Sequence, residues 1–195
     1  AFAPEEAEYL VEPYLPRGML SILGGVSGAG KTSLALDIAA KVTRGGRLGF
    51  ETSPSPDGDT SPDRRGKRTA APRLAPLSGE LSSECETERF HQNVIYLTAE
   101  NDPNKVLRPR VERLRADLDH IYFQNGANFS MQDAELEELC KELHPALLVF
   151  DPIQSYLGHG VQMNRAEQVR PILDRLGALA KQLDMAVLLI SHMSK

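Results

Sequence analysis

Residues 25–32 read Gly-Val-Ser-Gly-Ala-Gly-Lys-Thr, a complete G-x-x-x-x-G-K-[ST] run, and no other stretch restricts the fold so strongly. It follows Leu20-Ser21-Ile22-Leu23, a short apolar strand signal. It precedes a helical pattern over residues 32–44, with Leu34, Ile38 and Val42 on one face and Ala35 and Ala39 beside them. A strand, a glycine loop and a helix in that order make an anion cradle. The glycines let successive N–H groups turn inward to phosphate oxygens, and the helix amino terminus adds its dipole. Gly25, Val26, Ser27, Gly28, Ala29, Gly30, Lys31, Thr32 and Ser33 are therefore the nucleotide-binding candidates. Lys31 is placed for the β- and γ-phosphates of ATP, and the Thr32 hydroxyl for Mg²⁺. Spacing and setting together separate this run from a glycine turn that binds nothing.

Strand and helix signals alternate along the rest of the chain. Residues 94–98 (Val-Ile-Tyr-Leu-Thr) read as a buried strand. Asp102 caps a helix opening on Pro103, where a missing N–H costs nothing, and Pro109 kinks or restarts it. Residues 121–123 form another short strand. Ser130 with Asp133 gives a capping-box start to a helix burying Leu136, Leu139 and Leu143. Residues 147–150 are an apolar strand ending at Asp151. Asn164 with Glu167 starts the last helix, apolar at Val169, Leu173, Leu176 and Ala180 and bent by Pro171. Residues 186–191 close the chain as one more buried strand. Continuous apolar strands between amphipathic helices predict an α/β fold, a mostly parallel sheet with helices on both faces.

One stretch breaks this pattern. Residues 51–89 contain no Val, Ile, Met, Phe, Tyr or Trp, with a basic knot at Arg64, Arg65, Lys67 and Arg68 and acids at Glu80, Glu84, Glu86 and Glu88. Such a segment cannot bury enough apolar area to offset its ordering entropy, so it reads as a disordered insertion within one domain spanning 1–195. The net charge of −5 argues against a polybasic nucleic-acid binder, though not against a local basic groove. No run reaches the roughly 18 apolar residues of a membrane span. The opening AFAPEEAEYL lacks a signal-peptide pattern. Cys85 and Cys140 have neither a CxxC partner nor a nearby histidine pair, the usage of a reduced, cytoplasmic protein.

Three further residues fall at strand ends. Asp151 follows four apolar residues, the place for a carboxylate that supports Mg²⁺ through water. Glu100 stands just beyond the 94–98 strand. In a parallel sheet it shares the phosphate-loop side, where a carboxylate can polarise an attacking water. His192 ends the last strand, expected between the strands carrying the phosphate loop and Asp151, and so within reach of the γ-phosphate.

Three blocks carry a resemblance: residues 13–45 around the phosphate loop, 93–102 (NVIYLTAEND), and 151–195 from DPIQSY to SHMSK. In this order they resemble the RepA-like ATPases of plasmids and phages, within the RecA/DnaB superfamily of ring-forming motors. The likeness covers nearly the whole chain outside 51–89. It implies a RecA-like P-loop core that hydrolyses ATP at subunit interfaces, usually as a hexamer, and moves along single-stranded DNA. By the resemblance Lys31 and Thr32 hold phosphate and Mg²⁺, Glu100 is the catalytic base, Asp151 serves Mg²⁺ and His192 senses the γ-phosphate. Residues 157–164 fall where a DNA-facing loop lies, but have no Lys or Arg before Arg165. The family continues past the histidine strand to an arginine finger. Its absence here leads us to expect a C-terminally truncated core whose Leu20 strand is an exposed edge.

Three functions stay open on these grounds. The first is an ATP-dependent DNA helicase of the RepA type. The second is a non-motor ATP switch in recombination or repair. The third is a small-molecule P-loop kinase, whose basic lid could come only from residues 64–68.

Overall fold

Side-chain alternation along the central strands divides the hydrophobic core into two layers. The computed structural model describes residues 7–45, 48–49, 91–125 and 130–192. The insertion expected over 51–89 and its basic knot lie outside the described residues, as does Lys195. The strands are β1 (Tyr9–Glu12), β2 (Leu15–Pro16), β3 (Leu20–Gly25), β4 (Leu48–Gly49), β5 (Val94–Thr98), β6 (Ile121–Asn125), β7 (Leu147–Asp151) and β8 (Ala186–His192). Between them run α1 (Lys31–Thr43), α2 (Arg108–Arg113), α3 (Ala134–Leu143) and α4 (Ala166–Gln182).

Five strands form one sheet in the order β3-β8-β7-β5-β6, and every pairing is parallel. β8 thus lies between the phosphate-loop strand and the Asp151 strand, as expected of it. Tyr96, Val149, Leu188 and Ile190 face one way and pack with Leu36, Ile38 and Val42 of α1 and Val111 of α2. Ile95, Leu97, Leu148, Phe150, Val187 and Leu189 face the other way, against Leu136 and Cys140 of α3 and Leu176 and Ala180 of α4. Burying both faces explains why these strands are apolar without interruption. Among the described residues β3 pairs only with β8 and leaves Ile22 63% exposed, the edge expected of it.

Several local expectations need correction. Leu34 is exposed, and the buried arc of α1 runs instead through Ala35, Leu36, Ile38, Ala39, Ala40, Val42 and Thr43. The sheet and α2 both pack on this helix, so its buried arc is wider than a single stripe. Asp102 does cap, accepting from the N–H groups of Asn104 and Lys105, but the turn it opens, Pro103–Leu107, is π-helical. The α-helical pattern restarts at Arg108 because Pro109 has no N–H to give. α3 begins at Ala134, and the Ser130 and Asp133 pair closes the turn before it: Ser130 N donates to Asp133 Oδ2 at 2.6 Å. Its core residues are Leu136 and Cys140, with Leu139 and Leu143 only half-buried. α4 starts at Ala166, with Gln168 Oε1 reaching back to Gln162 N (2.8 Å) in place of an Asn164 cap. Ile172 takes the core position expected of Leu173, and the helix runs on through Pro171. The small sheet β2-β1-β4 was not legible in the sequence, its strands being too short to show a period.

Candidate active site

Parallel strands deliver their carboxyl ends to one edge, and the loop after β3 turns there into α1. Gly28 and Gly30 adopt φ of +81° and +83°. A Cβ at either would meet nothing within 4 Å, so it is the left-handed backbone, not lack of space, that asks for glycine. Gly30 is the N-cap of α1 and brings no side chain to its first turn, which also holds no acidic residue. The leading N–H groups therefore remain available to an anion. Lys31 is only 6% exposed, and its Nζ donates to the carbonyls of Gly25 (2.8 Å) and Val26 (2.9 Å). The loop is folded around this ammonium. Thr32 is half-buried one residue further on, whereas 26–30 and Ser33 are exposed.

Asp151 ends β7 opposite Thr98 of β5 and is fully buried. Its Oδ2 accepts the Tyr96 hydroxyl at 2.8 Å, while Oδ1 has no hydrogen-bond partner among the described residues. A buried carboxylate oxygen left with its lone pairs free suits a cation or its water shell. Burial first, and then the neighbouring Asp151 charge, push the Tyr96 phenol far above its usual range. Tyr96 is thus a permanent donor. Sequence reasoning missed it, although a tyrosine amid aliphatic residues of a buried strand needs a partner for its hydroxyl.

Glu100 and His192 come from different strand ends and meet. His192 is in register with Gly25 at the start of the phosphate loop, and its Nε2 lies 3.3 Å from Glu100 Oε1. The two form an ion pair when the ring is protonated, without the alignment of a hydrogen bond. Gln154, in the 3₁₀ turn Ile153–Tyr156, donates through Nε2 to Ser191 Oγ and His192 O, each at 3.3 Å. Nothing local in the sequence pointed to Gln154, because its partners are distant along the chain. After that turn, residues 158–164 are largely exposed, with Gly158 and Gly160 at φ of +98° and +80°.

The edge therefore gathers a phosphate cradle, a buried cation, a buried half-free carboxylate and a carboxylate–imidazole pair. Lys31 and Thr32 open α1, Asp151 and His192 end their strands, and Glu100 stands just beyond β5, all at this edge. The family model described as AAA domain matches residues 1–60 and 75–195 of the chain. No curated protein matches it significantly. Among the described residues no helix is long and apolar enough to cross a membrane.

Proposed function

The chain belongs to the AAA domain family of P-loop ATPases, and from that premise we propose that it couples Mg²⁺-dependent ATP hydrolysis to movement on single-stranded DNA, as a RepA-like helicase assembled into a ring. The Glu100–His192 contact at 3.3 Å carries the hydrolytic part. Glu100 is half-exposed and beside the phosphate loop, where it accepts a proton from a water attacking the γ-phosphorus in line. The bond from that phosphorus to the β-bridging oxygen breaks, and ADP leaves. Lys31 gives up its loop carbonyls for the β/γ-phosphate oxygens and offsets charge as the phosphoryl group transfers. Thr32 and the free Oδ1 of Asp151 would hold Mg²⁺, directly or through water. When bound, that ion neutralises negative charge on the β- and γ-oxygens.

His192 joins this chemistry to the rest of the molecule. A change at the γ-phosphate alters its pairing with Glu100. Gln154 is bonded to the backbone and neighbour of His192, and it belongs to the turn feeding residues 157–164. That linkage supports the reading of 157–164 as a DNA-facing loop, despite its lack of basic residues before Arg165.

The test is steady-state ATPase activity with and without single-stranded DNA, followed by strand displacement on a forked duplex. We expect DNA-stimulated turnover and unwinding. Glu100→Gln should keep nucleotide binding and lose turnover by about 10²-fold or more. Stimulation without displacement would point to an ATP switch instead. Phosphate appearing on an added metabolite would point to a kinase.

A further inference from the structure

At the opposite edge of the sheet, where strands begin, three ligating side chains converge. His91 precedes β5, and Asp117 caps the 3₁₀ turn Leu118–His120 that leads into β6. His91, Asp117 and His120 each bring one ligand atom within 4.8 Å of the other two. His91 Nδ1 is 2.7 Å from Asp117 Oδ2, and His120 Nε2 is 3.9 Å from the same oxygen. Neighbouring ligands of a tetrahedral ion bound at zinc distances stand about 3.3 Å apart, between those two values. The imidazoles are stacked, with centroids 5.2 Å apart and planes 20° from parallel.

The supports around these residues fix what each presents. Asn93 donates through Nδ2 to Leu143 O at 2.6 Å, which orients its amide. Asn93 Oδ1 is 2.8 Å from His120 Nδ1, and an amide oxygen only accepts. The ring therefore carries its proton on Nδ1 and offers the Nε2 lone pair, the outer-shell arrangement of a metal-binding histidine. Asp117 Oδ1 accepts from Asp119 N at 3.1 Å, so Oδ2 is the oxygen turned to the two rings. Asp117 N donates at 3.0 Å to the hydroxyl of Thr43, a buried residue at the end of α1. The Thr43 carbonyl is 3.1 Å from His91 Nδ1.

We propose that His91, Asp117 and His120 form a Zn²⁺ site, distinct from the phosphate-loop edge, with water as the fourth ligand. Two imidazoles and one carboxylate are a donor set for zinc, whereas Mg²⁺ prefers oxygen alone. Two acceptors face His91 Nδ1, the Asp117 carboxylate and the Thr43 carbonyl, so that nitrogen carries a proton in the metal-free chain. On binding the metal takes its place, the proton passes to solvent, and the neutral ring keeps its hydrogen on Nε2. The ion fastens the entries of β5 and β6 to each other beside the carboxyl end of α1.

Equilibrium dialysis of the nucleotide-free chain against Zn²⁺, with metal analysis, reads the site. Melting curves and the visible spectrum of the Co²⁺-loaded chain read its geometry. We expect one ion per chain, a Tm raised by Zn²⁺ but not by Mg²⁺, and intense four-coordinate Co²⁺ bands. His91→Ala, at a half-exposed position, should weaken Zn²⁺ binding by more than the roughly 10-fold expected for Asn93→Ala, which frees the His120 ring. Failure of the unsubstituted chain to bind Zn²⁺ would overturn the proposal. So would unchanged affinity in both His91→Ala and His120→Ala, which would place the ion elsewhere.

Discussion

The Asp151 carboxylate accepts one hydrogen bond among the described residues, from the Tyr96 hydroxyl at 2.8 Å, and keeps its other oxygen free in a fully buried setting. Tyr96 therefore aims the carboxylate as well as compensating its burial. Its ring also packs on Phe123 at a centroid distance of 5.7 Å, so Tyr96→Phe keeps the packing and deletes only the donor. We expect that variant to lose about 1–3 kcal/mol of stability, the penalty for stripping a buried polar group of its partner. It should also need more Mg²⁺ for half-maximal ATP turnover. Urea unfolding and a Mg²⁺ titration of turnover check the two effects. If neither moves, the hydrogen bond does not position Asp151. Lys31→Ala addresses the loop itself: removing the buried ammonium deletes the fixed cation beside the phosphates and should abolish tight ATP binding with the secondary structure retained. Fluorescent-nucleotide titration and circular dichroism measure both.

Elements differ in how much of themselves they announce. β5, β7 and β8 are contiguous apolar runs, and the phosphate loop is a contiguous motif, so each was legible in place. The register that pairs Thr98 with Asp151 and Gly25 with His192 is a property of the sheet, and with it went Tyr96, Gln154 and the His91–Asp117–His120 cluster. Spacing alone does not say that a helix is covered from two sides, which buries Leu36 and Ala40, nor that Leu34 in the first turn stands clear of that cover. The turn after Asp102 is a mixed case, its cap legible and its π-helical width not. Asp102 Oδ1 accepts from Asn104 N and Lys105 N, each at 2.9 Å, and these bonds, Lys105 foremost, hold the carboxyl below its usual range. A depressed folded-state pKa means that the cap contributes fully above the unfolded value of about 3.9 and is lost as pH falls through the lower folded value. Hydrogen exchange at Asn104 and Lys105 should accordingly be slower than in Asp102→Ala near neutrality. The difference should close in strong acid. A gap that persists in acid would assign the protection to something other than the carboxylate.

At the scale of the whole molecule, the candidate site is covered along one side and open along the other. Lys31 and Asp151 are buried, but Ser27, Gly28, Ala29, Gly30 and Glu100 lie open at the sheet edge. Val26, Leu34 and the β3 residue Ile22 are exposed apolar side chains close by in the sequence. In the ring we propose, a neighbouring subunit closes that side and supplies a cation to the transferring phosphoryl group. A trans arginine is typically worth about 10³-fold or more in rate. Two consequences separate this from a self-contained ATPase. Specific activity should fall on dilution as rings dissociate, in step with the oligomer seen by sedimentation. Glu100→Gln subunits mixed into unsubstituted protein should depress turnover more steeply than their mole fraction, because each occupies a neighbour's interface without cycling. A rate strictly proportional to the unsubstituted fraction, unchanged on dilution of a monomeric species, would show that one chain completes the site and would remove the interface from the mechanism.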